Sequence, residues 1–159
     1  MDILFRTAEH VFSYRVAGIC LHNGKVLLQK PSNDTAFAFP GGHVAFGETN
    51  AQTLTREFQE ELGAEILVGD LKWVGEIFFP WGNQPCHQIC LYYIVDLKSK
   101  TIPMEGMFVG NEQIEGRKFN LEFHWIPLTD LNRIEVYPTN VKALMDQLNH
   151  GVQHFIYRE

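Results

Sequence analysis

The stretch TNAQTLTREFQEELG, residues 49–63, has the pattern of an amphipathic helix whose two ends are both specified. Thr49 is a good N-cap, and Gln52 three residues later completes a capping box. Gly63 stands where a glycine commonly ends a helix, because glycine adopts the left-handed conformation without a steric penalty. Large apolar residues recur every four positions and predict the face that packs against a core. These residues are Leu54, Phe58 and Leu62.

A different face of the predicted helix carries three carboxylates. Glu57, Glu60 and Glu61 stand at positions i, i+3 and i+4, where like charges repel each other by roughly 0.2–0.5 kcal/mol per pair. A solvated helix face is one interpretation of this pattern. A metal site is the other, because hard divalent cations such as Mg²⁺ prefer oxygen ligands from a few carboxylates together with water and substrate phosphate. A bound cation would turn the repulsion between the glutamates into affinity.

The residues around the helix favour the metal site. Gly41 and Gly42 form a tight turn upstream, which would let the backbone come close to a ligand. Glu48 lies just before the helix, and Arg56 immediately precedes the first glutamate of the acidic face. A guanidinium group can pair with a carboxylate through two hydrogen bonds and hold it in place.

The rest of the chain predicts an α/β fold. Asn23-Gly24 lies between two apolar runs and indicates a β-hairpin, since both central residues of a type I′ turn need positive φ. The predicted strands cover residues 15–21, 25–29, 43–46, 65–79, 87–97 and 121–126, with a turn at 80–85. A second helix is predicted at 139–149, and residues 99–118 are predicted to be mostly a long loop. Two helices and about six strands with hairpins imply an α/β sandwich around a mixed sheet.

Length and composition are those of an ordinary globular protein. A chain of 159 residues with 45% apolar and 20% charged residues is expected to form one domain over residues 1–159. The three cysteines, an odd number without paired spacing, are expected to be reduced thiols in a cytoplasmic protein. The N-terminus lacks the features of a signal peptide, and no apolar run reaches the roughly 18 residues of a membrane helix. A formal net charge of −6 argues against sequence-independent nucleic-acid binding, yet permits a phosphorylated small molecule whose charge a cation offsets.

Seven residues of fixed spacing connect the glycine turn to the end of the helix. They are Gly42, Glu48, Arg56, Glu57, Glu60, Glu61 and Gly63. This spacing resembles the Nudix box, G-x5-E-x7-R-E-U-x-E-E-x-G-U, in which U is a bulky apolar residue. Only Ala64 departs from the pattern, as a small residue in the last apolar position, and the match covers 23 of the 159 residues. The hairpin before the box and the strand and helix near the C-terminus also resemble the Nudix α/β/α sandwich.

The resemblance to Nudix hydrolases implies a function and a metal site. These enzymes cleave the pyrophosphate link of a nucleoside diphosphate joined to another group. By the resemblance, Glu57, Glu60 and Glu61 would bind one or more Mg²⁺ or Mn²⁺ ions. The carbonyl oxygen of Gly41 could add a further ligand.

The resemblance also implies supporting roles for other acidic and basic residues. Glu48 and Arg56 would pair with each other and orient the helix. The general base that takes a proton from the attacking water would be one of the box glutamates or a carboxylate from another loop. Glu112 and Glu115, in the predicted long loop, are candidates for that role.

Residues outside the box would select the substrate. Phe79 and Trp81 belong to an aromatic region whose rings could stack on a base, although Phe79 could equally be a core residue of a strand. Gly42 and His43 adjoin the predicted site, and His43 could contact phosphate. Pro80 lies 16 residues after the box, which is similar to the pattern of ADP-ribose pyrophosphatases, so ADP-ribose or a nucleotide sugar is the expected substrate. Hydrolysis of nucleoside triphosphates or dinucleoside polyphosphates is the alternative.

Two other function classes compete with the enzyme. A chain with a Nudix-like fold could sense a nucleotide without turnover, and an acidic surface could bind divalent cations without any nucleotide. The intact box favours the enzyme, because degenerate boxes mark the non-catalytic class. The expected partner is a phosphorylated small molecule, with no nucleic acid and no membrane. The apolar segment 3–12 could support a homodimer or could instead pad its own sheet.

Overall fold

The computed structural model describes the backbone of residues 1–114 and 117–159 and the side chains of residues 1–110 and 120–159. Within these residues it has nine strands and two α-helices. The strands are β1 Leu4–Arg6, β2 Val11–His22, β3 Lys25–Pro31, β4 Gly41–His43, β5 Ile66–Trp81, β6 Gln84–Leu97, β7 Met107–Ile114, β8 Arg117–Pro127 and β9 Gln153–Arg158. The helices are α1 Asn50–Leu62 and α2 Val141–Leu144, and 3-10 helices span Leu128–Arg133 and Met145–Gln147.

Strand β2 organises the sheet because it pairs along both of its edges. On one edge it runs parallel to β6, from Val11 opposite Cys86 to Cys20 opposite Val95. On the other edge it runs antiparallel to the short strands β1 and β4, and its last residues pair with β3. The strand order is β7-β8-β3-β2-β6-β5-β9, and the parallel pairs β2–β6 and β5–β9 make the sheet mixed. The predicted α/β fold around a mixed sheet is therefore confirmed.

Two of the hairpins have two-residue turns. Asn23 and Gly24 connect β2 to β3 with φ angles of 48° and 72°, as the sequence predicted. The second hairpin is tighter than the predicted turn at 80–85, because β5 continues to Trp81 and β6 begins at Gln84. The prolines at both ends of the predicted turn face each other across this hairpin. Proline has no backbone N–H group to donate. The pair is tolerated because alternate residue pairs of an antiparallel ladder form no hydrogen bonds with each other.

The prediction of a long loop over residues 99–118 is wrong for its second half. Strand β7 forms an antiparallel hairpin with β8, from Met107 opposite His124 to Ile114 opposite Arg117. In the described residues β7 pairs with β8 alone and lies at the edge of the sheet. An edge strand does not need the apolar alternation of a central strand, so the local sequence carries little signal for it.

The C-terminal helix is shorter than the predicted range 139–149. The single α-helical turn of α2 passes at Met145 into a 3-10 turn that ends at Gln147. Val141 and Met145 are buried in the core, which accounts for the apolar stripe that predicted a helix. The chain then extends into β9, which was not predicted from the sequence, and β9 runs parallel to β5 at the other edge of the sheet.

Helix α1 begins and ends as predicted. The side chain of Thr49 accepts a hydrogen bond from the backbone N–H of Gln52 at 3.2 Å, and the side chain of Gln52 accepts one from the N–H of Thr49 at 2.8 Å. Gly63 has a φ of 63°, and its N–H donates to a carbonyl group of the last helical turn at 3.0 Å. Leu54 and Phe58 are buried in a core cluster that includes residues of β2 and β3. Local sequence and tertiary packing thus specify the same helix.

Three smaller expectations concern the cysteines, membranes and β4. Cys20, Cys86 and Cys90 are buried free thiols. No helix in the described part of the chain is long and apolar enough to cross a membrane. The short strand predicted at 43–46 is instead β4, Gly41–His43, and the predicted tight turn at Gly41 and Gly42 is wrong, because both glycines pair with β2.

Substitution of Gly63 by Ala should destabilise the fold by about 1–2 kcal/mol. A Cβ at this position meets no atom within 4 Å, so the cost comes from the left-handed backbone conformation alone. Gly151 provides a matched control, because a Cβ there also meets nothing within 4 Å and its φ lies outside the left-handed range. Urea unfolding should show a lower unfolding free energy for Gly63→Ala and an unchanged or slightly higher one for Gly151→Ala. Equal effects of the two substitutions would contradict this explanation.

Candidate active site

Arg56 anchors helix α1 to the loop that precedes it. Its Nε donates to Oε1 of Glu48 at 2.8 Å, and its Nη2 donates to Oε2 of the same carboxylate at 3.0 Å. The hydroxyl group of Thr53 also donates to Oε2 of Glu48, at 2.7 Å. The predicted pair between Glu48 and Arg56 is thus present, as a bidentate ion pair. These hydrogen bonds lower the pKa of Glu48 to about 2, with Arg56 as the main cause and Thr53 as the second.

The same guanidinium group also reaches the acidic face of the helix. Its Nη1 donates to Oε1 of Glu57 at 3.0 Å and to Oε2 of Glu60 at 3.4 Å. The side chain of Glu57 is 15% exposed, whereas that of Glu60 is 59% exposed. Together with Glu48, three carboxylates share one positive charge. That charge offsets part of the repulsion expected from the spacing of the glutamates.

A glycine at position 42 makes room for the carboxyl group of Glu57. Strand β4 pairs with β2 and places Gly42 opposite Val16. A Cβ on Gly42 would clash with the carboxyl group of Glu57, and a Cβ on Gly41 would clash with the backbone of Val16. Burial raises the pKa of Glu57, while the neighbouring Arg56 acts in the opposite direction. Gly42 of β4 therefore allows a buried carboxylate to lie directly against the backbone of the sheet.

Glu61 does not lie on a solvated face, which corrects the predicted division of the helix into a core side and an acidic side. The residue is only 7% exposed. Strand β7 passes the last turn of α1 so closely that a Cβ on Gly110 would lie 2.5 Å from the carbonyl oxygen of Glu61. The solvated-face interpretation therefore fails for Glu57 and Glu61 and holds only for Glu60.

The carboxylates of the acidic face fit a divalent cation in their chemistry. Oxygen atoms of Glu57 and Glu60 lie within reach of one guanidinium nitrogen, and Mg²⁺ commonly binds through one or two carboxylates plus water and substrate phosphate. Among the described side chains, no group of three acidic, histidine or cysteine residues is close enough to hold a metal ion. A cation here would take its remaining ligands from water and substrate. The predicted contributions of Glu61 and of the Gly41 carbonyl oxygen stay predictions.

A cavity of about 290 Å³ lies beside β2, β5 and β6, and several aromatic side chains contribute to its walls. Its lining includes Arg15, Phe79, Gln88, Tyr92, Tyr137 and Tyr157. Gln88 is buried, and its side-chain oxygen accepts a hydrogen bond from the hydroxyl group of Ser13 at 3.1 Å. Flat aromatic walls with a few polar groups suit a nucleobase, which stacks on rings and is uncharged.

Of the predicted aromatic residues, Phe79 lines the cavity, whereas Trp81 lies at the end of its hairpin. The ring of Trp81 stacks on Phe79 and on His43, with ring centroids 6.1 Å and 5.9 Å away. The guanidinium group of Arg6 lies 4.9 Å from the centre of the Trp81 ring. Pro80, which suggested ADP-ribose, is exposed next to the hairpin turn. Trp81 thus has protein partners for its ring and is not among the residues that line the cavity.

His43 remains neutral near pH 7. Burial lowers its pKa to about 4, and the charge of Arg15 acts in the same direction. Its Nε2 is buried without a hydrogen-bond partner among the described residues. A neutral imidazole brings no positive charge to a phosphate, so the predicted phosphate contact would have to be a hydrogen bond.

The two candidates for the general base lie in or beside the β7–β8 hairpin. Glu115 lies outside the described residues, and Glu112 is described by its backbone in β7 but not by its side chain. Because β7 passes the last turn of α1 at Gly110, the backbone of Glu112 follows two residues later in the same strand. The roles of both residues stay predictions.

Three residues that line the cavity were missed from the sequence. Arg15 had a signal, because it is the only Lys, Arg, Asp or Glu in β2, a strand of mostly apolar residues. Gln88 lies in a predicted strand, where its spacing gave no reason to single it out. Tyr157 belongs to β9, a strand that the sequence did not predict.

The chain is similar to known proteins in sequence and in fold. Residues 13–147 match the sequence model of the NUDIX domain. Over 59 residues the chain is 46% identical to the CTP pyrophosphohydrolase of Escherichia coli strain K12, and the match covers 35% of this chain and 44% of that protein. The chain thus spans less than half the length of this curated relative.

Two solved structures illustrate the similarity in fold. A MutT protein from Bacillus halodurans has a TM-score of 0.60 and 16% identity, covering 91% of this chain and 90% of that one. An ADP-ribose pyrophosphatase from Streptococcus suis has a TM-score of 0.59 and 12% identity, covering 91% and 98%. At these identities the similarity establishes a common fold.

The pair between Glu48 and Arg56 should make stability depend on pH in a defined window. The folded pKa of Glu48, about 2, lies below the ordinary value of 4.5, so the carboxylate stabilises the fold above pH 4.5 and this contribution is lost as the pH falls toward 2. Glu48→Gln should lower the unfolding free energy by about 1 kcal/mol at neutral pH. The difference from the wild type should shrink as the pH falls through this window.

Urea unfolding at neutral pH and at several lower pH values measures this difference. Glu9→Gln, the same change at an exposed carboxylate, is the control and should stay close to the wild type throughout. A difference between Glu48→Gln and the wild type that stays constant across the window would show that the ion pair is not its source.

Proposed function

The chain belongs to the NUDIX domain family, and from this premise we propose that it is a divalent-metal-dependent hydrolase of pyrophosphate bonds in nucleotide derivatives. The observation that carries the proposal is the shared Arg56 guanidinium, which holds Glu57 and Glu60 beside each other and ties them to Glu48. This arrangement keeps two carboxylates positioned at the start of the acidic face. An acidic surface without a catalytic purpose would not need so specific an arrangement.

The carboxylates of the acidic face would hold the metal, and a water molecule would be the nucleophile that attacks the substrate. Glu57 and Glu60, with Glu61 one residue further, are the proposed ligands. A divalent cation bound there would neutralise phosphate oxygens and lower the pKa of a bound water. Arg56 and Glu48 act as positioning residues, because they fix the helix start and keep the carboxylate of Glu57 against Gly42 of β4. Positioning of this kind contributes to catalysis because no reorganisation is needed during the reaction.

The proposed substrate is a nucleoside diphosphate linked to another group, with ADP-ribose or a nucleotide sugar as the first choice. The aromatic cavity supports a nucleobase at one end of such a molecule, and the acidic helix supports its phosphates at the other. A nucleoside triphosphate is the second candidate, favoured by the relative that is a CTP pyrophosphohydrolase. The proposed general base is either one of the glutamates of the Nudix box or one of Glu112 and Glu115, which lie outside the box.

A nucleotide panel with and without metal tests the function. ADP-ribose, a UDP-sugar, the four common nucleoside triphosphates and a dinucleoside tetraphosphate are each incubated with Mg²⁺, with Mn²⁺ and with EDTA, and products are separated by chromatography. We expect a nucleoside monophosphate from at least one of these compounds, and only when metal is present. Cleavage of a triphosphate with ADP-ribose untouched would reject the first substrate and keep the hydrolase. Binding without any cleavage would instead indicate a nucleotide sensor.

Glu60→Gln and Glu61→Gln should each lower kcat by at least about 100-fold at saturating Mg²⁺, because each removes a charged metal ligand worth several kcal/mol to the transition state. For the exposed Glu60, the unfolding free energy should change by no more than about 0.5 kcal/mol, since the loss of a weak surface pair is balanced by reduced repulsion. Glu65→Gln, the same change at an exposed position just after the helix, is the control and should keep wild-type turnover. Near wild-type hydrolysis by either helix variant would reject the assignment of the metal site.

A further inference from the structure

Arg15 occupies the region where the aromatic cavity meets the acidic helix. It lies in the middle of β2, opposite Cys90 of β6 on one edge and opposite His43 of β4 on the other. Its side chain is half-buried and lines the cavity together with Phe79 and Tyr157. The residue before His43 in β4 is Gly42, which lies against the carboxyl group of Glu57. Arg15 therefore has the cavity beside it and the proposed metal site close by.

The guanidinium group of Arg15 makes no direct ion pair with a described residue, because no described carboxylate lies within 4.0 Å of it. The carboxylate of Glu57 attracts it only from a longer distance, so the five donors of this side chain remain available to a ligand. Glu159 also lines the cavity but does not approach Arg15 within the 4.0 Å of an ion pair. The cavity therefore presents a positively charged group that can bind an anionic ligand.

The charge of Arg15 acts on both parts of the site. Burial raises the pKa of Glu57, and Arg15 is among the positive charges that oppose this shift. Burial likewise raises the pKa of Cys90 to about 11, and Arg15 again opposes the shift from inside the cavity. The charge of Arg15 therefore lies between the cavity, which is proposed to hold the nucleobase, and the acidic helix, which is proposed to hold the metal and the phosphates.

We propose that Arg15 binds the phosphate group next to the nucleoside of the substrate, while the nucleobase occupies the aromatic cavity. The inference rests on the proposed function and adds the residue that joins base recognition to the metal site. A guanidinium group suits this task because its planar donors match two phosphate oxygens at once and its charge does not depend on pH. Arg15 would then set the position of the substrate along the cavity. The scissile bond would be placed at the acidic helix as a result.

Binding without metal tests this role separately from catalysis. AMP, CMP, GMP and UMP are titrated against the full chain in EDTA by calorimetry, each in parallel with its own nucleoside. For the wild type, at least one monophosphate should bind about 10- to 100-fold more tightly than its nucleoside, which is the usual value of a charge-assisted contact. Arg15→Gln should remove this preference and leave the affinity for the nucleoside within about twofold. Arg15→Lys should restore part of the preference, because it keeps the charge and loses the planar fork.

Arg133→Gln is the matched control, since it removes the same charge from a side chain that is 81% exposed on a 3-10 helix outside the cavity lining. It should bind monophosphates like the wild type. Thermal unfolding of each variant checks that the fold is retained, and Arg15→Lys provides the comparison if Arg15→Gln does not fold. Two results would overturn the inference. Arg15→Gln could keep the wild-type preference for the monophosphate, or Arg133→Gln could lose that preference to the same extent as Arg15→Gln.

The nucleotide panel distinguishes the two levels of failure. If the wild type hydrolyses a nucleotide with metal but Arg15→Gln keeps the phosphate preference, only the role of Arg15 is wrong. If the wild type neither hydrolyses nor binds any nucleotide, the proposed function is wrong and the role of Arg15 is rejected with it.

Discussion

One guanidinium group holds the acidic helix in place, and the rest of the site depends on it. Arg56 pairs with Glu48 in the loop before the helix and with Glu57 and Glu60 on the helix itself. Without that charge, carboxylates would face each other across a single turn at spacings where like charges repel. The arginine sets the direction in which the loop enters the helix, and it opposes the burial that raises the pKa of Glu57.

Close approach of strands to α1 determines how deeply the carboxylates lie. Three strands pass the helix at glycines, β2 at Gly18, β4 at Gly42 and β7 at Gly110, and a Cβ at any of these positions would press into an atom of the helix. As a result the acidic face is closed at Glu61 and open at Glu60, which is where a cation and a phosphate would enter.

The two parts of the site differ in chemistry as the two ends of a nucleotide do. The helix contributes carboxylates and one shared guanidinium, whereas the cavity contributes aromatic walls and a buried amide whose oxygen is held by Ser13. A base is flat and uncharged, so it suits the cavity, and phosphates are anions, so they suit a cation held by carboxylates. Arg15 lies where these two requirements meet.

The sequence by itself determined helix α1, its two caps, the Asn-Gly hairpin and the pair between Glu48 and Arg56, because each depends on residues close together in the chain or at a fixed helical spacing. It also determined the class of fold, since the order of helices and strands follows from local patterns. Only the tertiary structure decided that Glu61 is buried, that β7 and β9 are strands, and that Arg15 shares a cavity with tyrosines from distant segments. The physical reason is the same in each case: β7 exists by pairing with β8, β9 by pairing with β5, and the cavity by the packing of strands that are far apart in the chain.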